Sequence, residues 1–121
     1  MVYVGQSLET RKWGWQILCN DDGAIRIIEE EYPFSSPGEV FSFMENAKKA
    51  FSEGGVRTVR DRETGSYGYT MAVGGTPFKE EFGWSSPEEV NNTLSDLRNA
   101  LSEGVKMRPD AFAKAKTMRI D

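Results

Sequence analysis

Ser36-Pro37-Gly38-Glu39-Val40 and Ser86-Pro87-Glu88-Glu89-Val90 stand fifty positions apart in a chain of 121 residues, and each opens a run with helical spacing. The echo extends outward from there. Downstream, Phe51-Ser52-Glu53-Gly54 is answered by Leu101-Ser102-Glu103-Gly104. Upstream, Glu9-Thr10 and Trp13-Gly14-Trp15 return as Glu63-Thr64 and Tyr67-Gly68-Tyr69. Self-similarity at a fixed period marks a duplicated supersecondary unit. From Val2 to Trp15 the partner lies 54 positions on, and from Ile28 onward it lies 50 on. The four-residue difference falls between Cys19 and Ile28, where the copies read Asn20-Asp21-Asp22-Gly23 and Gly74-Gly75-Thr76-Pro77. Both are turn chemistry. A length change confined to a hairpin tip is what a shared fold tolerates best.

Within each copy the periodicity switches from 2 to 3.6. Trp13, Trp15, Ile17 and Cys19 alternate with Gly14, Gln16 and Leu18, as a half-buried strand requires, and Tyr67, Tyr69, Met71 and Val73 do the same. A following strand is expected from about Ile25 to Tyr32, and from about Phe78 to Gly83. Its shared apolar or aromatic positions 28/78, 32/82 and 34/84 set that parity inward. A shorter leading strand, Val2–Gly5 or Val56–Arg60, folds back through the polar turns at Glu9-Thr10 and Glu63-Thr64. Ser36 and Ser86 then serve as N-caps, with Pro37 and Pro87 at the first helical position and Glu39 and Glu89 completing capping boxes. Val40, Phe43, Met44, Ala47 and Phe51 form one apolar stripe, and Val90, Leu94, Leu97 and Leu101 the other. Gly54 and Gly104 stand where a helix C′ glycine belongs.

These signals predict an α+β fold: two tandem βββα units, residues 1–54 and 55–104, related by a pseudo-two-fold. Antiparallel sheets carry helices on one face, and a basic tail at 105–121 includes a short helix opened by Pro109. One copy alone would bury too little surface to stand comfortably. Pairing the copies gives one compact two-lobed domain. No stretch approaches the roughly 20 apolar residues of a membrane span, and the N-terminus lacks an apolar leader. Cys19 is the sole cysteine and reads as a small core hydrophobe. A cytoplasmic location follows as the expectation.

The chain has no histidine, which removes the usual general base near neutral pH and imidazole metal ligands. One cysteine excludes a thiolate zinc site. Gly54-Gly55 and Gly74-Gly75 lack the spacing of a phosphate loop. No catalytic residue, metal or cofactor is expected, and the chain is read as a non-enzyme. Glu29-Glu30-Glu31 and Lys79-Glu80-Glu81 place adjacent acids on opposite strand faces, so they do not converge on one ligand. Glu30 and Glu80 share parity with the inward aromatics. They either pair with a Lys or Arg at the sheet margin or line an acidic groove between the lobes. The aromatics Trp13, Trp15, Phe34, Tyr67, Tyr69 and Trp84 recur at core parity and are read as core. Phe41 matches Asn91, and Leu18, Ile25 and Ile27 match small or polar residues, so the first copy carries an additional apolar patch. Such a patch either docks the tail or binds another chain.

The pattern resembles the YegP-type family, small tandem-repeat proteins of unknown function. The residues that carry the resemblance are Trp13-Gly14-Trp15-Gln16-Ile17-Leu18, Asp22-Gly23, Ile27-Ile28, and Tyr32 with Ser35-Ser36. Tyr67-Gly68-Tyr69 and Phe82 with Ser85-Ser86 give a looser fit in the second copy. The resemblance covers about residues 1–104. The sequence departs from the family at Gly14 and Gln16, where basic residues are usual, and at the Ser-Pro helix starts. The resemblance implies the fold and no reaction.

Charge divides the chain. Residues 1–104 sum to −7 and residues 105–121 to +3. The leading expectation is a soluble, non-enzymatic module that binds a protein partner through Phe41, Leu18, Ile25, Ile27, Glu29, Glu31, Glu80 and Glu81. A second reading is an acidic mimic of nucleic acid that blocks a nucleic-acid-binding machine. It requires Glu29, Glu31, Glu80, Glu81, Glu88 and Glu89 in rows along one face. A third is nucleic-acid binding through Lys106, Arg108, Lys114, Lys116 and Arg119. The acidic body argues against nucleic acid elsewhere, no membrane contact is expected, and a homodimer remains compatible with the sequence.

Overall fold

Seven strands in two sheets and two helices make an α+β fold, seen in a computed structural model that describes residues 1–108. In chain order these are β1 (Val2–Gln6), β2 (Trp13–Asp21), β3 (Ala24–Phe34), α1 (Pro37–Glu53), β4 (Val56–Arg60), β5 (Tyr67–Val73), β6 (Thr76–Trp84), α2 (Pro87–Glu103) and β7 (Val105–Met107). The first sheet has strand order β3-β2-β1-β7 and the second β4-β5-β6. The described residues group into two compact units, Met1–Met44 with residues 99–108, and Glu45–Arg98. The division falls inside both helices. The predicted helix after Pro109 lies outside the described residues.

Both helices start at proline. Ser36 Oγ accepts from the Glu39 N–H (3.4 Å) and Ser86 Oγ from the Glu89 N–H (3.3 Å), while each glutamate accepts from its serine hydroxyls. This satisfies N–H groups that a helix start leaves orphaned. At the end of α1, Gly54 has φ +77° and the Gly55 N–H donates to Ala50 O at 2.8 Å. That is the left-handed glycine cap with its 6→1 bond. The buried stripe of α1 is Val40, Met44, Ala47 and Ala50; that of α2 is Val90, Leu94, Leu97, Ala100 and Leu101.

One expectation is corrected at the hairpin tips. The four-residue difference is not absorbed in the turns, because both tips have two central residues with positive φ: Asp22 and Gly23 in one, Gly74 and Gly75 in the other. Such paired values belong to the tight turn whose twist matches the flanking strands. Instead β2 and β3 are each two residues longer than β5 and β6. Adding two per strand preserves which face every side chain meets.

A second correction concerns parity in β3 and β6. Register shifts occur between Trp13 and Trp15 and between Ile17 and Leu18, and again between Tyr67 and Gly68 and between Met71 and Ala72. Each extra residue in a bulge moves the following side chains to the other face. Phe34 therefore joins Trp15 and Phe43 in an aromatic cluster, with Trp15 stacked on Phe43 at 4.8 Å and 6°. Tyr32 lies on the opposite face, beside Glu30 and Gln16. The glycines at the bulges are required by space: a Cβ on Gly14 would stand 1.7 Å from Glu31 O, and one on Gly68 1.9 Å from Glu81 O.

A third correction is β7. Val105 and Met107, assigned by sequence to the tail, pair parallel with Val2 and Val4, so the first sheet is mixed rather than antiparallel. A three-residue strand is too short to declare a period.

Candidate functional site

The first strand of each sheet differs in what lies beyond it. On β1 the pairs alternate so that Val2 and Val4 turn their backbone groups away from β2. Both are used: the Val2 N–H donates to Gly104 O (3.0 Å) and Val4 O accepts from the Arg108 N–H (2.8 Å). On β4, Ala72 N–H donates to Gly55 O (2.9 Å), which by the same alternation points Arg57 and Val59 at β5 and turns Val56, Thr58 and Arg60 outward. Among the described residues no backbone hydrogen bond reaches those outward groups, and β4 ends its sheet. Burial follows. Val2 and Val4 are fully buried, whereas every residue of β4 keeps some exposure.

Beside this edge, on the face of the second sheet away from buried Tyr69 and Met71, lies an open cavity of about 470 Å³. Arg57, Thr70, Ala72 and Pro77 line it, with Glu53 and Gly55 where α1 runs into β4. Register places these residues on one face, since Arg57 pairs with Thr70 and Ala72 with Pro77. The positions that the sequence aligns with them in the first sheet are Tyr3, Gln16, Leu18 and Ile27, all bulkier except at Tyr3/Arg57. Gly55 is held close: a Cβ there would meet Ala72 O at 2.0 Å. Arg57 is exposed and makes no hydrogen bond or ion pair among the described residues.

The corresponding face of the first sheet is filled and polar at its centre. Gln16 is fully buried, and its Nε2 donates to Glu30 Oε2 at 2.9 Å. The Tyr32 hydroxyl donates to the same carboxylate oxygen. Burial, then the Glu30 hydrogen bond and charge, push the Tyr32 phenol far above the usual tyrosine range, with Gln16 and Arg108 acting against the shift. Gln16 Oε1 has no hydrogen-bond partner among the described residues. Arg108 also lies 5.8 Å from the Tyr3 ring centre. The cluster links β2 to β3 through the Glu30 carboxylate.

The residues singled out from sequence are dispersed. Leu18 is buried and pairs with Ile27; Ile25 is 65 % exposed and sits in the two-residue extension of the hairpin, opposite Asn20. Phe41 is half-exposed. Glu29 accepts from Trp15 Nε1 (3.0 Å) and Glu31 is exposed. Glu80 is exposed beside Thr70, while Glu81 lies on the other face, opposite Tyr69, with Lys79 Nζ at 3.3 Å. Glu88 and Glu89 occupy the first turn of α2. Lys106 is exposed on β7, and Lys114, Lys116 and Arg119 lie outside the described residues. Half-buried Cys19 departs from the expected core position. Sequence reasoning missed Arg57, Thr70, Ala72 and the β4 edge. The pairing of Leu18 with the smaller Ala72 was the available signal.

Among the described residues no group of three or more Cys, Asp and Glu stands in range of a common metal, and no helix is long and apolar enough to cross a membrane. No family model, curated protein or solved structure matches the chain.

Proposed function

We propose that this chain is a non-enzymatic interaction module, built from two tandem βββα units of YegP-like pattern, that holds a protein partner at the surface of its second segment. One observation carries the reading: among the described residues the outward backbone groups of Val56, Thr58 and Arg60 have no backbone partner, beside an open cavity, while the matching strand β1 is closed. A row of unpaired strand groups is a template for another chain. The acidic-mimic reading gains less support, because Glu80 and Glu81 point to opposite faces and Glu29 is engaged by Trp15.

Proline at Thr58 removes an outward N–H without touching a β4–β5 bond, as an edge position permits. Thr58→Val is the control, because Thr58 Oγ1 also bonds Asn91 Oδ1 at 2.6 Å. The test is affinity capture from cell extract with the wild-type chain and both variants. A protein retained by wild type and Thr58→Val, and lost with Thr58→Pro, is the expected outcome. Equal retention by all three removes β4 from the binding surface.

A further inference from the structure

The parallel pairing of β7 on β1 shows how an added strand sits on this kind of edge. Val105 lies opposite Val2, Met107 opposite Val4, and Lys106 opposite Tyr3. Val2 and Val4 share the face of buried Trp15 and Ile17, so the flanking added side chains fall on the apolar side and the central one on the other. The sequence aligns Val2, Tyr3 and Val4 with Val56, Arg57 and Thr58. A strand in the same register on β4 therefore sets its central side chain opposite Arg57, at the mouth of the cavity.

Resting on the interaction reading above, we infer that the β4 edge takes an extended segment, parallel to β4, with a carboxylate opposite Arg57 and an apolar side chain on either side of it. Arg57 is a cation without a partner among the described residues, exposed on that face. Guanidinium groups pair carboxylates through two parallel N–H donors, so the match is geometric as well as electrostatic. Glu53 lines the same cavity at the end nearer the start of β4. It disfavours a second acid toward the start of the added strand, which fixes the register of the first.

The probes are two blocked pentapeptides. One has the order of residues 104–108, Gly-Val-Lys-Met-Arg, and the other replaces its lysine with glutamate. The full-length chain carries a net charge of −4, so long-range attraction favours the lysine peptide. A preference for glutamate then has to arise at the edge itself. Amide resonances followed by NMR titration should move at Val56, Thr58 and Arg60. The glutamate peptide should bind about fivefold more tightly at low salt, the size of an exposed ion pair. Arg57→Glu should reverse that order, and Thr58→Pro should suppress both peptides while Thr58→Val suppresses neither.

The inference falls if the shifts map outside β4 or if both peptides bind alike. It also falls if Arg57→Glu leaves the order unchanged, or if light scattering shows a dimer whose β4 amides are already protected. Loss of captured protein with Thr58→Pro, together with no peptide preference, would leave the interaction reading standing and overturn only the carboxylate at Arg57.

Discussion

β1 and β4 each lead a run of three strands and a helix, yet one is an interior strand and the other an edge. β7 accounts for the difference. Three residues that continue from α2 complete the first sheet, and no strand does the same for β4 among the described residues. The faces behind the two strands diverge accordingly. Gln16 and Leu18 are buried on one, with Ile27 half-buried beside Leu18, whereas Thr70, Ala72 and Pro77 line an open cavity on the other. Strands of similar sequence thus acquire different availability from what lies next to them. An exposed edge invites unwanted pairing unless charge or shape restricts it. Arg57 and Arg60 supply that restriction on β4.

The comparison breaks most decisively at the aromatic cluster. Trp15→Ala removes the stack on Phe43 and the contact with Phe34, and should cost about 3–5 kcal/mol in denaturant unfolding. Tyr69→Ala should cost less, because α2 offers Thr93 where α1 offers Phe43. Equal losses would mean that the additional ring contributes nothing beyond burial.

Exchanging the cavity between the sheets is the next test. Leu18→Ala should destabilise by about 2–4 kcal/mol, since a buried side chain is deleted. Ala72→Leu, placing the first sheet's residue in the second, should stabilise by no more than about 1 kcal/mol. A large penalty for Ala72→Leu would show that the hollow is shaped by strain rather than by missing volume.

The smallest effect is in alkali. Tyr32 is held protonated, with its folded-state value raised above the ordinary 10.0. Its contribution is fully present below pH 10 and is lost as pH rises through the folded value, because the unfolded chain releases the proton first. Tyr32→Phe gives this position the character of Phe82, and thermal unfolding should then fall less steeply above pH 10 than for the wild type. Parallel curves would remove Tyr32 as the source.

Much of the fold was legible because local chemistry and period agreed. The Ser-Pro-x-Glu starts, the Gly54 and Gly104 stops and the alternation in β2 and β5 each named an element. The parity of β3 was not legible, since a bulge is invisible to a period-2 count and flipped Tyr32 away from Phe34. The hairpin difference was located correctly but assigned to the turn, because strand extension and loop insertion leave the same trace in an alignment. At the candidate site, the exchange of Leu18 for Ala72 was visible, while the open edge was not. Whether a strand has a neighbour depends on where a distant segment lands.

Sequence by itself determined the elements from β1 to α2, their order, the helix caps and the absence of histidine chemistry, because each depends on contacts within a few residues or on composition alone. Tertiary structure decided which strand edges are closed among the described residues, and that Arg57 faces an open cavity. Those outcomes are set by long-range pairing, such as Val2 with Val105, and a register shift of one residue is enough to change them.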